Sequence, residues 1–158
     1  NNAKQVITIE PESNNCSLIR ENLKSFNNSI ILESAVTDTD EEYIDFFLYK
    51  KKNNYGTHSV YTFKGRESVQ VSNVKFSSIL ELYKPEIIKM DCEGSEYKLL
   101  KNEIPDYVKQ ITIEFHFNKK EWKSIFLEQI KMFDTWECIR KPNTNMNVSF
   151  GTIGAWKR

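Results

Sequence analysis

Glycine is scarce in this chain. There are five in 158 residues, and none forms a glycine-rich loop of the kind that cradles phosphates. A nucleotide-binding domain built on such a loop therefore ranks last among the readings. Cysteine is scarcer still: Cys16, Cys92 and Cys138 are scattered, odd in number and include no CxxC pair, which argues against a structural zinc site. They read as neutral thiols in a reducing compartment, the cytoplasm. Cys92 has acidic neighbours on both sides, the opposite of the electropositive setting that makes a thiolate nucleophile. Charge of either sign is not in excess, with 22 basic and 22 acidic residues, so there is no electrostatic footprint for duplex nucleic acid. No apolar run approaches the ~20 residues of a membrane span. Residues 1–5 lack the apolar core of a signal peptide. Histidine occurs twice, at His58 and His116.

What the chain does contain is apolar residues in short, patterned runs. At 158 residues, 39% hydrophobic and 28% charged, it has the material of one globular domain over 1–158. Val6–Ile9 is a β-branched run that reads as a buried parallel strand. Asn14–Phe26 carries Leu18, Ile19, Leu23 and Phe26 at helical spacing, with Ser13 as its cap. Ile30 opens a strand running to about Val36. In Glu42–Lys50 the residues Ile44, Phe46 and Leu48 share one face of a strand, and Tyr43, Asp45, Phe47 and Tyr49 the other. The polar turn Lys50–Asn54 with Gly56 predicts a β-hairpin whose return strand is Ser59–Phe63. Val69–Val74 is a further short strand, and Ser77–Tyr83 a helix stopped by Lys84-Pro85. Then come a strand at Glu86–Asp91, a helix at Ser95–Asn102, a strand at Ile111–His116 and an amphipathic helix over Lys119–Phe133. The last has Trp122, Ile125, Phe126, Gln129, Ile130 and Phe133 on one face. Trp136–Arg140 and Val148–Trp156 form a closing, antiparallel β pair around a polar loop. The alternation predicts an α/β domain with a mostly parallel sheet.

The ends of the strands hold the chemistry. Open α/β sheets bind ligands beyond the carboxyl ends of their strands. Glu10 follows the first strand directly, where an acid can accept ribose hydroxyls; alone, it is equally a solvated strand-end acid. Asp91 and Glu93 follow the strand Glu86–Asp91, with Gly94 to turn the backbone. Their spacing of two on extended chain projects both to a similar side. Glu114 and His116 repeat that spacing on the next strand. If the two strands are parallel and in register, four ionisable groups converge at one sheet edge. The set suits removal of a hydroxyl proton, or a divalent cation bound through oxygen and nitrogen; Glu114 and His116 could instead form a simple hydrogen-bonded pair. His58, in Gly56-Thr57-His58-Ser59, reads as a loop residue. Tyr43, Phe47, Tyr49, Tyr55 and Tyr61 read as covering a core or interface, and Lys50-Lys51-Lys52 as a solvated tip.

Three segments together resemble one family. "IIKMDCEGSEYKLL" is similar to the hallmark segment of FkbM-type methyltransferases, roughly "lKiDvEGaEyevL". "VITIEPESNNCSLIRENLKSFN" resembles that family's strand and helix beginning "v.a.EP.p", and "ITIEFHF" its strand ending in "E.H". Order and spacing match, over Gln5 to about Asn118. The resemblance implies a Rossmann-like class I fold and an S-adenosylmethionine-dependent O-methyltransferase acting on a hydroxyl of a sugar, glycan or small metabolite. It places Glu10 on the ribose hydroxyls, Ser34 and Ala35 near the adenine, and Asp91 near the methionine end and reacting centre. Glu93, Glu114 and His116 would line the acceptor side, with a neutral His116 as general base and Glu114 orienting it. A metal held by Asp91, Glu93 and Glu114 is the alternative, by analogy with catechol-type methyltransferases.

The family also has a central strand with a glycine-rich loop, resembling "vvDvGAniG", ahead of the Glu10 strand. Nothing in the chain matches it, so the domain is expected to be N-terminally incomplete. That leaves a competing reading: a degenerate methyltransferase fold acting as a binding or scaffold module without the cofactor.

Overall fold

In the computed structural model the chain is described over residues 3–48, 58–61, 67–117, 120–145 and 151–158. The polar turn at 50–56, Tyr49 and Tyr55, and residues 62–63 and 148–150 of the expected strands lie outside the described residues. Backbone contacts divide the chain into two units, Asn1–Lys75 and Phe76–Arg158.

The first unit opens with β1 (Val6–Ile9) and β2 (Ser29–Leu32), a parallel pair joined through helix α1 (Ser13–Leu23). The cap of α1 is Glu12, not Ser13: its carboxylate accepts from the Asn15 N–H at 2.7 Å. A buried carboxylate reaching the third residue on does what a serine cap does, with a full charge at the positive end of the helix. The Ser13 hydroxyl donates to Glu33 instead, at 2.6 Å. The strand expected from Ile30 to Val36 breaks at Glu33-Ser34 and resumes as β3 (Ala35–Thr37), which pairs in parallel with β5 (Glu67–Lys75).

β4 (Tyr43–Leu48) meets the expected return segment at an antiparallel bridge between Phe47 and Ser59, which exchange backbone hydrogen bonds, the rest of that pairing lying outside the described residues. It makes a full antiparallel ladder, not foreseen from the sequence, with β5. The register explains the ladder: Ile44 lies opposite Val71 and Phe46 opposite Val69, so apolar cross-strand pairs fall on one face.

The second unit is a four-stranded sheet in the order β6-β7-β9-β8, made of β6 (Ile87–Asp91), β7 (Gln110–His116), β8 (Glu137–Arg140) and β9 (Gly151–Lys157). β6 and β7 are parallel; β9 is antiparallel to both β7 and β8, the closing pair the alternation foretold. Helix α2 (Phe76–Tyr83) ends at Lys84, whose φ of 43° lies outside right-handed helix geometry before Pro85. The helix expected over 95–102 is only α3 (Glu96–Leu99). The long helix is α4 (Lys120–Gln129), tightened into a 3₁₀ turn at Ile130–Phe133.

The core of this unit follows from alternation along β7. Ile111, Ile113 and Phe115 are fully buried, and Phe115 packs edge-on to Phe126 (4.9 Å) and Trp156 (6.4 Å), with Phe133 stacked on Trp156 at 4.4 Å. Trp122, Phe126 and Phe133 are the buried stripe of the last helix; Ile125, 36% exposed, is at the edge of the stripe and misses the core. Thr112, Glu114 and His116 therefore lie on the opposite face. Among the described residues, β1 pairs only with β2 and β6 only with β7. No helix among them is long and apolar enough to cross a membrane. The architecture is mixed α/β, with both parallel and antiparallel ladders.

Candidate active site

Parallel pairing of β6 with β7 sets Asp91 directly beside Glu114. His116 lies two residues further along, on the same side, just past the point where β6 stops. The chain leaves β6 through a turn in which Glu93 (φ 49°) and Gly94 (φ 107°) both take positive φ. A non-glycine residue in that region is uncommon, and such residues gather at functional sites. The turn brings Glu93 back over the end of β7: its Oε1 is 3.6 Å from His116 Nε2, and Asp91 Oδ1 is 3.8 Å from the same nitrogen. Ligand atoms of Asp91, Glu93 and His116 all lie within 4.8 Å of one another.

Gly94 has a second reason to be glycine. A Cβ there would sit 2.2 Å from the Trp122 ring, so the turn lies flat against the indole of α4. Tyr97 packs on the same indole, with ring centroids 5.3 Å apart. The site is thus seated directly on the aromatic core.

Beneath the cluster is a carboxylate that sequence reasoning left out of the site. Glu96 is 0% exposed. Its Oε2 accepts from the Gly94 N–H at 2.8 Å; its Oε1 accepts from the His116 N–H at 2.7 Å and lies 3.2 Å from His116 Nδ1. Three hydrogen bonds satisfy a buried charge that would otherwise be very costly. Tyr97 completes the clamp by donating its hydroxyl to the His116 carbonyl at 2.7 Å. Both residues belong to the segment "EGSEYKLL". An acid in the first turn of a helix reads as a partner of the helix dipole, and only the fold turns Glu96 inward.

The ring partners of His116 among the described residues are Asp91, Glu93 and Glu96; Glu114, expected to orient the imidazole, is not one of them. Burial favours the neutral ring, but the Glu96 hydrogen bond and the charges of Glu96, Glu93 and Asp91 outweigh it and raise the pKa to about 9. The ring is therefore protonated at neutral pH when nothing else is bound, where a neutral imidazole was expected. Cys92, between the two acids, is pushed up to about 12 by burial and by the nearby Glu96 charge, so it stays a thiol.

In the first unit the structure brings Glu10, Ser34 and Ala35 together. The Glu10 carbonyl accepts from the Ser34 N–H (3.1 Å) and the Cys16 thiol (3.0 Å), which joins the carboxyl ends of β1 and β2. The Glu10 side chain is held at that edge by the Glu12 N–H, 2.9 Å from Oε1. Ala35 is buried at the start of β3. His58 is a ring neighbour of Phe46 at 6.0 Å.

Each unit of this α/β protein thus carries acidic groups at the carboxyl end of a parallel strand, Glu10 in the first and the Asp91–Glu93–His116 cluster in the second. The Methyltransferase FkbM domain matches residues 1–140, which include both strand ends, and the chain belongs to the FkbM methyltransferase family. Comparison with curated proteins and with solved structures gives no match.

Proposed function

We propose that this chain is part of an S-adenosylmethionine-dependent O-methyltransferase of Rossmann-like type, which methylates a hydroxyl of a sugar, glycan or small metabolite. The observation that carries the reading is the Asp91–Glu93–His116 cluster at the carboxyl ends of two parallel strands, in a chain of a methyltransferase family. When bound, the cofactor supplies an electrophilic methyl group on a sulfonium, which needs little activation.

The residues then have two tasks. The Glu10 carboxylate, steadied by the Glu12 N–H, accepts hydrogen bonds from the two ribose hydroxyls, and Ser34 and Ala35 border the adenine. The carboxyl-end position of Glu10 on a parallel strand supports that fit. Asp91, the most open member of the cluster at 41% side-chain exposure, would accept the acceptor hydroxyl's hydrogen bond and take its proton when the cofactor supplies the methyl group. Glu93 and His116 hold Asp91 and the hydroxyl in line, and Glu96 and Tyr97 position His116. Glu114 lines the acceptor side beside Asp91.

Calorimetric titration of the natural full-length polypeptide with S-adenosylhomocysteine tests the reading. Saturable binding that Glu10→Ala abolishes is the expected result. Absence of binding overturns it in favour of a degenerate fold that serves as a binding module.

A further inference from the structure

We infer that the space enclosed by Asp91, Glu93 and His116 is a binding site for one divalent transition cation of the Mn²⁺ or Zn²⁺ type. Metal coordination at this cluster goes beyond the methyl-transfer reading, and the two can fail separately.

Three observations converge. The first is the spacing of the ligand atoms. His116 Nε2 lies 3.6 Å from Glu93 Oε1 and 3.8 Å from Asp91 Oδ1, longer than the about 2.7–3.2 Å of a hydrogen bond. Ligands bound at about 2.0–2.2 Å to one cation stand about 3.0–3.4 Å apart, depending on whether the site is octahedral or tetrahedral. Both carboxylates thus stand just beyond hydrogen-bond reach of Nε2 and need to close on it by only a few tenths of an ångström around an ion, and the ligand atoms of all three groups already lie within 4.8 Å of one another.

The second is the aim of the imidazole. His116 is only 9% exposed, and its Nδ1 is engaged by Glu96 at 3.2 Å. That leaves Nε2 pointing at the two carboxylates with no hydrogen-bond partner among the described residues. A histidine that gives its Nδ1–H to a buried carboxylate keeps Nε2 directed outward, where a cation that displaces the Nε2 proton meets the lone pair, the arrangement found behind metal-bound histidines. Tyr97 and Glu96 also hold the backbone carbonyl and N–H of His116, so the ring is placed before any ion arrives.

The third is the charge and openness of the site. The groups facing His116 are Asp91, Glu93 and Glu96, and Asp91 also pairs with Lys89 at 3.6 Å, a lysine largely in solvent. Three protein ligands leave coordination positions free on the exposed Asp91 side for water or for a hydroxyl of a substrate, as in open catalytic sites. One imidazole with two carboxylates favours Mn²⁺ or Zn²⁺ over Ca²⁺.

The test is titration of EDTA-treated protein, carrying Cys138→Ser to remove the exposed thiol, with Mn²⁺ alone. Binding is followed by the loss of the free-ion EPR signal, with a parallel calorimetric titration using Zn²⁺. Saturable binding at one site is expected, with broadening of the His116 ring resonances by Mn²⁺. Asp91→Asn and His116→Gln should each weaken it at least ten-fold, whereas Glu128→Gln, on the solvent face of α4 and paired with Lys131, should not change it. Because Asp91 is exposed, Asp91→Asn is expected to fold normally, and circular dichroism checks this. No saturable binding, or binding that Asp91→Asn leaves intact, overturns the site. S-adenosylhomocysteine binding measured on the same sample is independent of that result.

Discussion

Glu96 and His116 meet through a single oxygen: Oε1 of Glu96 accepts the His116 backbone N–H at 2.7 Å and stands 3.2 Å from the ring Nδ1. The other oxygen holds the Gly94 N–H at 2.8 Å. One buried side chain thus ties the turn after β6 to the end of β7, and the cluster of Asp91, Glu93 and His116 exists because of that tie.

Glu96→Gln is expected to destabilise the protein by about 3 kcal/mol. Both oxygens accept backbone N–H groups, so an amide must turn its own NH₂ toward one of them and leave a buried donor unsatisfied. Urea denaturation measures the change; a loss below about 0.5 kcal/mol, the usual range of a surface substitution, would show that the carboxylate is not the tie.

Gly94→Ala is expected to cost about 2–4 kcal/mol, from an unfavourable positive φ and from overlap with Trp122. Combining it with Trp122→Leu should recover the overlap but not the backbone part. The double-mutant cycle separates them, and strict additivity would contradict the contact.

In protein stripped of divalent cations, His116 should make stability depend on pH in one direction. Its folded pKa, about 9, lies above its ordinary value of 6.5. The contribution is complete below pH 6.5 and falls as pH rises through 9. Comparing thermal unfolding of the wild type and His116→Gln across pH 6–10 should show the difference shrinking with pH, and an unchanging difference would place the stabilisation elsewhere.

If methyl transfer is the activity, two substitutions should split. Glu10→Ala should weaken S-adenosylhomocysteine binding by about 10–100-fold, the loss of one or two charge-assisted hydrogen bonds. Asp91→Asn should lower kcat by a larger factor than it weakens that binding. Equal losses of both in Asp91→Asn would make Asp91 a binding residue.

The thiols should react in order of exposure. Cys16 is buried, donates to the Glu10 carbonyl, and has its pKa raised by burial and by Glu33 to about 11. Cys138 is exposed. A disulfide reagent at pH 7.5 should label Cys138 in native protein and reach Cys16 only on unfolding; equal rates would contradict the buried setting.

Much of the fold was readable from local pattern. Val6–Ile9, Ile87–Asp91 and Gln110–His116 are apolar runs long enough for a strand and too short for a helix, and each is a strand. Errors came where a local signal had two outlets. Ser13 and Glu12 can both cap, and the one whose carboxylate reaches Asn15 does so. Residues 43–48 pair antiparallel with Ser59 at Phe47 and also along 67–75, a second edge partner that only matching apolar cross-strand pairs reveal. At the site, the spacing of two in Asp91-x-Glu93 and Glu114-x-His116 pointed to the sheet edge where Asp91, Glu93 and His116 meet.

The amino-acid order by itself determined the elements, the acidic turn and the family, because alternation, helical spacing and a turn glycine act over a few residues. Tertiary structure alone decided which groups meet. Parallel register carried His116 past the end of β6, positive φ at Glu93 swung its carboxylate over that end, and Glu96 turned inward to bind a histidine twenty residues away. Such a pairing depends on the direction of a side chain after the chain has turned, which no short-range pattern encodes. It is therefore Glu96, not Glu114, that holds the imidazole.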